Sequence, residues 1–309
     1  MKIFLKHILK VTIPALALVF GGCSTTNSDV SSEEDAIFSF DVAADMREYA
    51  GPEFQTSQYF LGVVEAIDAL GKGAFMLSPG DIDPPRHVAN TIAEVLGEDY
   101  TWYPVLGNHE METPEDVEWL IAWGKKDIPN LVRRGPEGGE ETTYSFDYKN
   151  AHFVVINQYY SGDPENPTDG DIVDPLYDWI KADLEANTKP HVFVAGHEPL
   201  VSLPDYDNGR QRHKGDNLDQ HPENSHRFQK LLREHNVTAM LCGHTHSFSY
   251  AKINDLWQVD AGHSRGLGDE GAPSTFLKFY VGEKDVLVKV YRDDSNGGEY
   301  KLTKTFMLD

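Results

Sequence analysis

The chain has 309 residues, 40% hydrophobic and 25% charged, a soluble globular balance with room for one large or two small domains. Its 50 Asp and Glu outnumber 27 Lys and Arg, for a formal net charge of −23. Such a charge repels nucleic-acid backbones, whose binding needs Lys and Arg, so no nucleic acid is expected as a partner, and any phosphorylated substrate should be small and met by local positive charge.

At the start, Lys2, Lys6 and Lys10 precede an apolar run from Val11 to Phe20, and Gly21 and Gly22 stand before Cys23. This is the pattern of a secretory signal, and small residues directly before a lone Cys resemble a bacterial lipoprotein cleavage box. The expectation is a signal peptide over 1–22, lipid on Cys23, a disordered acidic tether over 23–35 and one domain over 36–309. The protein would then be exported to the cell envelope, at the outer membrane or cell surface, and touch the membrane through its lipid only. Cleavage removes three lysines and leaves the mature chain at −26. After Phe20 no apolar run approaches the ~20 residues of a membrane-spanning helix. With Cys23 lipidated, Cys242 has no disulfide partner and reads as a buried thiol.

AIFSFDVAAD opens the domain as a strand. Phe60, Val63, Val64, Ile67 and Leu70 recur at helical spacing between Ser57 and Gly71. GAFMLS is a short buried strand, followed by the loop PGDIDPP, a helix from about His87 to Leu96, the strand TWYPVL, the loop GNHE and a helix starting at Thr113 and Pro114. TTYSFDY and HFVVINQ read as adjacent strands, Ser161–Asp174 as a loop, Pro175–Ala186 as a helix and HVFVAG as a strand. A long polar loop over Pro204–Asn224 leads to a helix (Ser225–His235), the strand VTAMLC and the loop GHTH. Alternating strands fill the rest, with a hairpin turn at Gly282–Lys284. Strand–helix alternation followed by mixed strands favours a single α/β domain with sheets sandwiched between helices.

Five strand ends carry potential metal donors: Asp45, Asp81, Asn108 with His109, His197, and His244 with His246. In four of the five loops Gly directly precedes the first donor, which permits a sharp turn and close approach of a ligand. Carboxylate, imidazole and amide oxygen suit Mn, Fe or Zn. A lone GD or a lone strand-end His is weak evidence; GD, GNHE, GHEP and GHTH in this order, each after an apolar strand, are strong evidence together.

The set resembles the calcineurin-like metallophosphoesterase family from about Ala36 to Gly266. The resemblance implies a β-sandwich of two mixed sheets flanked by helices (α-β-β-α) and a site for two divalent or trivalent ions. By position, Asp81 would bridge the ions, Asp45 and His246 would hold the first, and Asn108, His197 and His244 the second. It implies hydrolysis of phosphomonoesters or phosphodiesters by metal-activated water, with His109 as the general acid and a small phosphorylated substrate.

The departure from the family lies at Asp45-Met46-Arg47, where Asp-x-His is usual. A guanidinium has no acceptor lone pair, so Arg47 is no ligand. It either contacts a substrate phosphate or pairs with Glu48 or Glu53. The replacement motivates a second reading, a weak or inactive binding protein on the same fold. Asp41 is an alternative to Asp45, Asp83 reads as a turn or outer residue, and Glu110 as an orienter of His109 or a solvated carboxylate. Arg210, Arg212, His213 and Lys214 form a basic island beside His197; Arg210, Arg212 and His263 are further candidates for substrate contact.

Overall fold

A computed structural model describes residues 33–126, 128–293 and 298–309. The expected signal peptide, the lipid-bearing Cys23 and the tether as far as residue 32 lie outside the described residues. Glu33–Asp35, at the end of the stretch expected to be a tether, form a short 3-10 turn, and the Glu33 carboxylate pairs with Lys289.

In order, the strands are β1 (Phe38–Val42), β2 (Phe75–Ser78), β3 (Thr101–Pro104), β4 (Leu131–Arg134), β5 (Tyr144–Tyr148), β6 (Ala151–Val155), β7 (His191–Ala195), β8 (Ala239–Cys242), β9 (Phe248–Ile253), β10 (Leu256–Ala261), β11 (Thr275–Val281), β12 (Val286–Arg292) and β13 (Lys301–Leu308). The helices are α1 (Phe60–Ala69), α2 (Pro85–Leu96), α3 (Asn108–Glu112), α4 (Pro114–Gly124), α5 (Asp174–Ala186) and α6 (Pro222–Glu234). Pro85 and Pro222 each stand in the first turn of a helix, where the missing N–H costs nothing, so α2 and α6 begin two or three residues before the sequence reading placed them.

Two mixed sheets result. One runs β13-β12-β11-β1-β2-β3 and the other β4-β5-β6-β7-β8-β10-β9. Alternation along β1 turns Phe38, Phe40 and Val42 to the space between the sheets. There Phe40 lies 4.7 Å from Phe279 and 5.2 Å from each of Phe75 and Phe153. Truncating such a ring to Ala typically costs about 3–5 kcal/mol. The outer face of the first sheet (Met76, Trp102, Phe276) is covered by apolar residues of α1, α2 and α4, and that of the second (Val154, Val194, Met240) by α5 and α6. The layering is α-β-β-α, as expected.

Asp41 points away from the sandwich, and its Oδ1 lies 3.0 Å from Nζ of Lys278, its cross-strand partner. Asp41 is thus engaged in a structural ion pair, which leaves Asp45 as the candidate carboxylate in the loop after β1. β1-β2-β3 and β6-β7-β8-β10 are parallel runs whose carboxyl ends meet at one edge of the sandwich, where open α/β sheets bind ligands.

Candidate metal centre

Loops leaving β1, β2, β3, β7 and β8 deliver Asp45, Asp81, Asn108, His197 and the pair His244 and His246 to this edge. Gly80 shows why glycine precedes the donors. Its φ is +81°, and a Cβ there would stand 2.4 Å from the His197 ring. Asp45, Arg47, Asp81, His244 and His246 all have positive φ without being glycine. Left-handed backbone at a non-glycine residue costs on the order of 1 kcal/mol or more and collects at functional sites.

One cluster is tight. Asn108 Oδ1 is 3.1 Å from both His197 Nε2 and His244 Nδ1; these nitrogens are 3.2 Å apart, and His197 Nε2 is 3.2 Å from Asp81 Oδ1. His197 Nδ1 faces the Pro79 carbonyl at 2.8 Å and must donate to it, which leaves the lone pair on Nε2. His244 Nε2 faces the Asp216 carbonyl at 3.3 Å, so its lone pair is on Nδ1. Burial pushes both imidazoles down to about 3, and they stay neutral at ordinary pH. Four acceptor atoms thus face one another with no proton to share, an arrangement that repels itself unless a cation sits among them. The residues fit a metal ion.

The neighbouring group is Asp45, Asp81 and His246. Asp45 Oδ1 is buried without a hydrogen-bond partner and lies 3.6 Å from His246 Nε2. Burial, reinforced by the charge of Asp81, raises the Asp45 carboxyl well above the usual range. Both are marks of a carboxylate prepared for a cation. Asp45, Asp81 and His197 also offer ligand atoms within 4.8 Å of one another. His246 is engaged from both sides: Nδ1 lies 2.8 Å from Asp269 and also meets Arg212, and Nε2 is 2.8 Å from Arg265 Nη2.

His109 stands at the mouth. Its Nε2 is 3.7 Å from Asp81 Oδ2 and 3.1 Å from Arg47 Nη1, and its Nδ1 is 3.1 Å from Glu112 Oε2. The carboxylate beside the ring is Glu112. Glu110 is fully buried and accepts backbone N–H groups instead, so neither expectation for it holds. Arg47 pairs with Asp83 at 3.1 Å, not with Glu48 or Glu53, and keeps an edge toward His109.

Two candidates for substrate contact are corrected. Arg210 is engaged bidentately by Asp269 at 2.8 and 3.1 Å, which neutralises its fork. His263 is fully buried, with Nε2 2.8 Å from the Ala272 carbonyl and Nδ1 accepting the Arg265 N–H, and does not reach the opening. Arg212, partly exposed beside His246, remains at the rim. Sequence reasoning missed Arg265, Asp269 and Glu112; only Arg265 had a local cue, the strand-end run GHSRG.

The sequence pattern described as calcineurin-like phosphoesterase matches residues 50–248, beginning just past Asp45 and Arg47. Tartrate-resistant acid phosphatase type 5 of Rattus norvegicus is 29% identical over 248 residues, 74% of this chain and 66% of that protein. The Homo sapiens counterpart is 27% identical over 239 residues, 72% and 69% of the two chains. The chain thus spans about two thirds of the length of these curated relatives. PhoD has the same fold with a TM-score of 0.57 at 12% identity, over 87% of this chain and 69% of that one. So does GAP50, the anchor in the inner membrane complex of Plasmodium, with a TM-score of 0.55 at 13% identity, over 88% and 89%. With its strand-end donors gathered at one sheet edge and the family pattern matched over more than half its length, this chain belongs to the calcineurin-like phosphoesterase family.

Proposed function

We propose that the protein is a metal-dependent phosphoric ester hydrolase acting on small phosphomonoesters or phosphodiesters. The observation that carries this reading is the cluster of Asn108 Oδ1, His197 Nε2 and His244 Nδ1, mutually 3.1–3.2 Å apart, with Asp81 Oδ1 3.2 Å from His197 Nε2. Two ions, Mn, Fe or Zn, are the full complement. When bound they polarise phosphoryl oxygens and acidify water near neutral pH.

The residues of the chain supply the rest. Asp81 would serve both ligand groups, Asp45 offers its free oxygen, and Asn108 contributes a neutral carbonyl. His109 gives its proton to the leaving oxygen, and Arg47 and Arg212 meet non-bridging phosphate oxygens with planar donors. The acidic surface keeps nucleic acid away. Export as a cell-envelope lipoprotein is part of this proposal. It predicts that lipid label enters the wild-type chain and not the Cys23→Ala variant.

The test measures bound metal, and turnover of nitrophenyl phosphate mono- and diesters with added Mn²⁺. Expected are bound metal and turnover that chelation abolishes and Mn²⁺ restores. A folded chain with neither metal nor turnover overturns the proposal in favour of a binding protein on this fold.

A further inference from the structure

Arg265 places a guanidinium against the first of the two ligand groups. Its Nε donates to the Asp45 carbonyl at 2.5 Å and its Nη2 lies 2.8 Å from His246 Nε2. The side chain is almost fully buried. Its own N–H is received by His263 Nδ1 at 3.3 Å, and His263 is fixed in turn by the Ala272 carbonyl at 2.8 Å. Gly266 packs so closely that a Cβ there would stand 1.9 Å from the Gln58 carbonyl oxygen. Arg265 is therefore held in place from three directions.

An imidazole nitrogen has one lone pair, in the ring plane. His246 Nε2 gives it to Arg265 or to a metal ion, not to both. Arg47 provides no replacement, because a guanidinium is no ligand. With His246 withdrawn, the first position is left with the carboxylates of Asp45 and Asp81, and a fixed positive charge stands beside it. The second position has two imidazoles, an amide oxygen and a carboxylate, and no cation is hydrogen-bonded to any of those ligand atoms among the described residues.

We propose that Arg265 competes with the ion of the first position for His246, so that the chain loads metal in two unequal steps: one ion tightly at Asp81, Asn108, His197 and His244, and a second only weakly. This rests on the proposed metal-dependent function and adds how the centre fills. Arg265 here is a positioning residue that acts on the metal through His246.

The test is titration of the metal-free full chain with Mn²⁺ by calorimetry, alongside the Mn²⁺ electron paramagnetic resonance spectrum at one and two equivalents. Wild type is expected to show two steps at least about tenfold apart, with an uncoupled single-ion spectrum at one equivalent. Arg265→Met should tighten the weak step by about 10–100-fold and leave the tight step in place. If Arg265→Met does not fold, His246→Gln serves: it should spare the tight step and abolish the weak one. Two indistinguishable steps in wild type, with a spin-coupled spectrum already at one equivalent, overturn the inference and leave the hydrolase reading standing. So does an unchanged weak step in Arg265→Met, or loss of the tight step in His246→Gln. A wild-type chain that binds no ion at all overturns both.

Discussion

The Glu110 carboxylate accepts the backbone N–H of Ile82 at 2.6 Å. It takes that of Gly107 at the same distance and that of Asp81 at 3.2 Å. One buried side chain thus ties the loop that carries Asp81 to the loop that carries Asn108 and His109. Removing it strands three buried donors. Glu110→Ala should lose about 2–4 kcal/mol in urea unfolding and weaken metal binding roughly 10–100-fold, as the loss of an orienting partner does. Calorimetry that returned wild-type metal affinity for this variant would remove Glu110 from the support of the centre.

The motifs were readable because each is local: an apolar strand, a glycine, then a donor. Asp81, Asn108, His109, His197, His244 and His246 all stand where the pattern put them, and Asp45 is separated from Asp41 by the pairing of β1 with β11. What escaped reading depends on distant parts of the chain. β10 pairs in parallel with β8 although β9 lies between them in sequence, and that skip brings Arg265 beside His246. The run GHSRG around residue 265 marks a strand end but does not say which loop it will meet. Arg210 looked like part of a free basic island because Asp269, its partner, is 59 residues away. Glu110 looked solvated because its acceptor role depends on the loop after β2 folding over it.

His109 sits outside the ligand cluster with Nε2 at the opening, 3.1 Å from Arg47. As proton donor to the leaving oxygen, it matters in proportion to how badly that oxygen needs a proton. His109→Ala should slow hydrolysis of an alkyl phosphate about 10²–10⁴-fold and hydrolysis of nitrophenyl phosphate only slightly, since nitrophenolate leaves unaided. Equal losses on both substrates would point to a role in binding or structure.

The long loop before α6 is clipped to the first sheet. Arg292 Nη2 meets Asp205 Oδ2 at 2.6 Å and Arg292 Nη1 meets Asp207 Oδ2 at 2.5 Å, with Arg292 and Asp205 both buried. Breaking a buried pair from one side leaves a charge without its partner and costs about 3–5 kcal/mol. Arg292→Met should show that loss in unfolding. It should also open the loop around Asp205–Arg212 to limited proteolysis faster than in the wild type. Since this loop carries Arg212 to the rim of the site, KM for a small phosphate ester should rise more than kcat falls.

His152 gives a pH dependence away from the metal centre. It is buried between Asp147 at 2.7 Å and Asp183 at 2.9 Å. Burial opposes its charged form, yet the hydrogen bonds and charges of Asp183 and Asp147 outweigh that and hold its pKa above the ordinary 6.5. A group whose folded pKa is raised contributes stability that is complete below its unfolded value and fades as pH rises through the folded one. The imidazolium donates to both carboxylates, whereas the neutral ring has one proton to give and leaves a buried acceptor unmet. His152→Gln should therefore cost about 1–3 kcal/mol near pH 6, and the gap between wild type and variant should narrow steadily as pH climbs above 6.5. Urea unfolding of both proteins at pH 6, 7 and 8 reads this directly. A gap that stays constant or widens toward pH 8 would mean that His152 is neutral in the folded chain and that another group bears the proton.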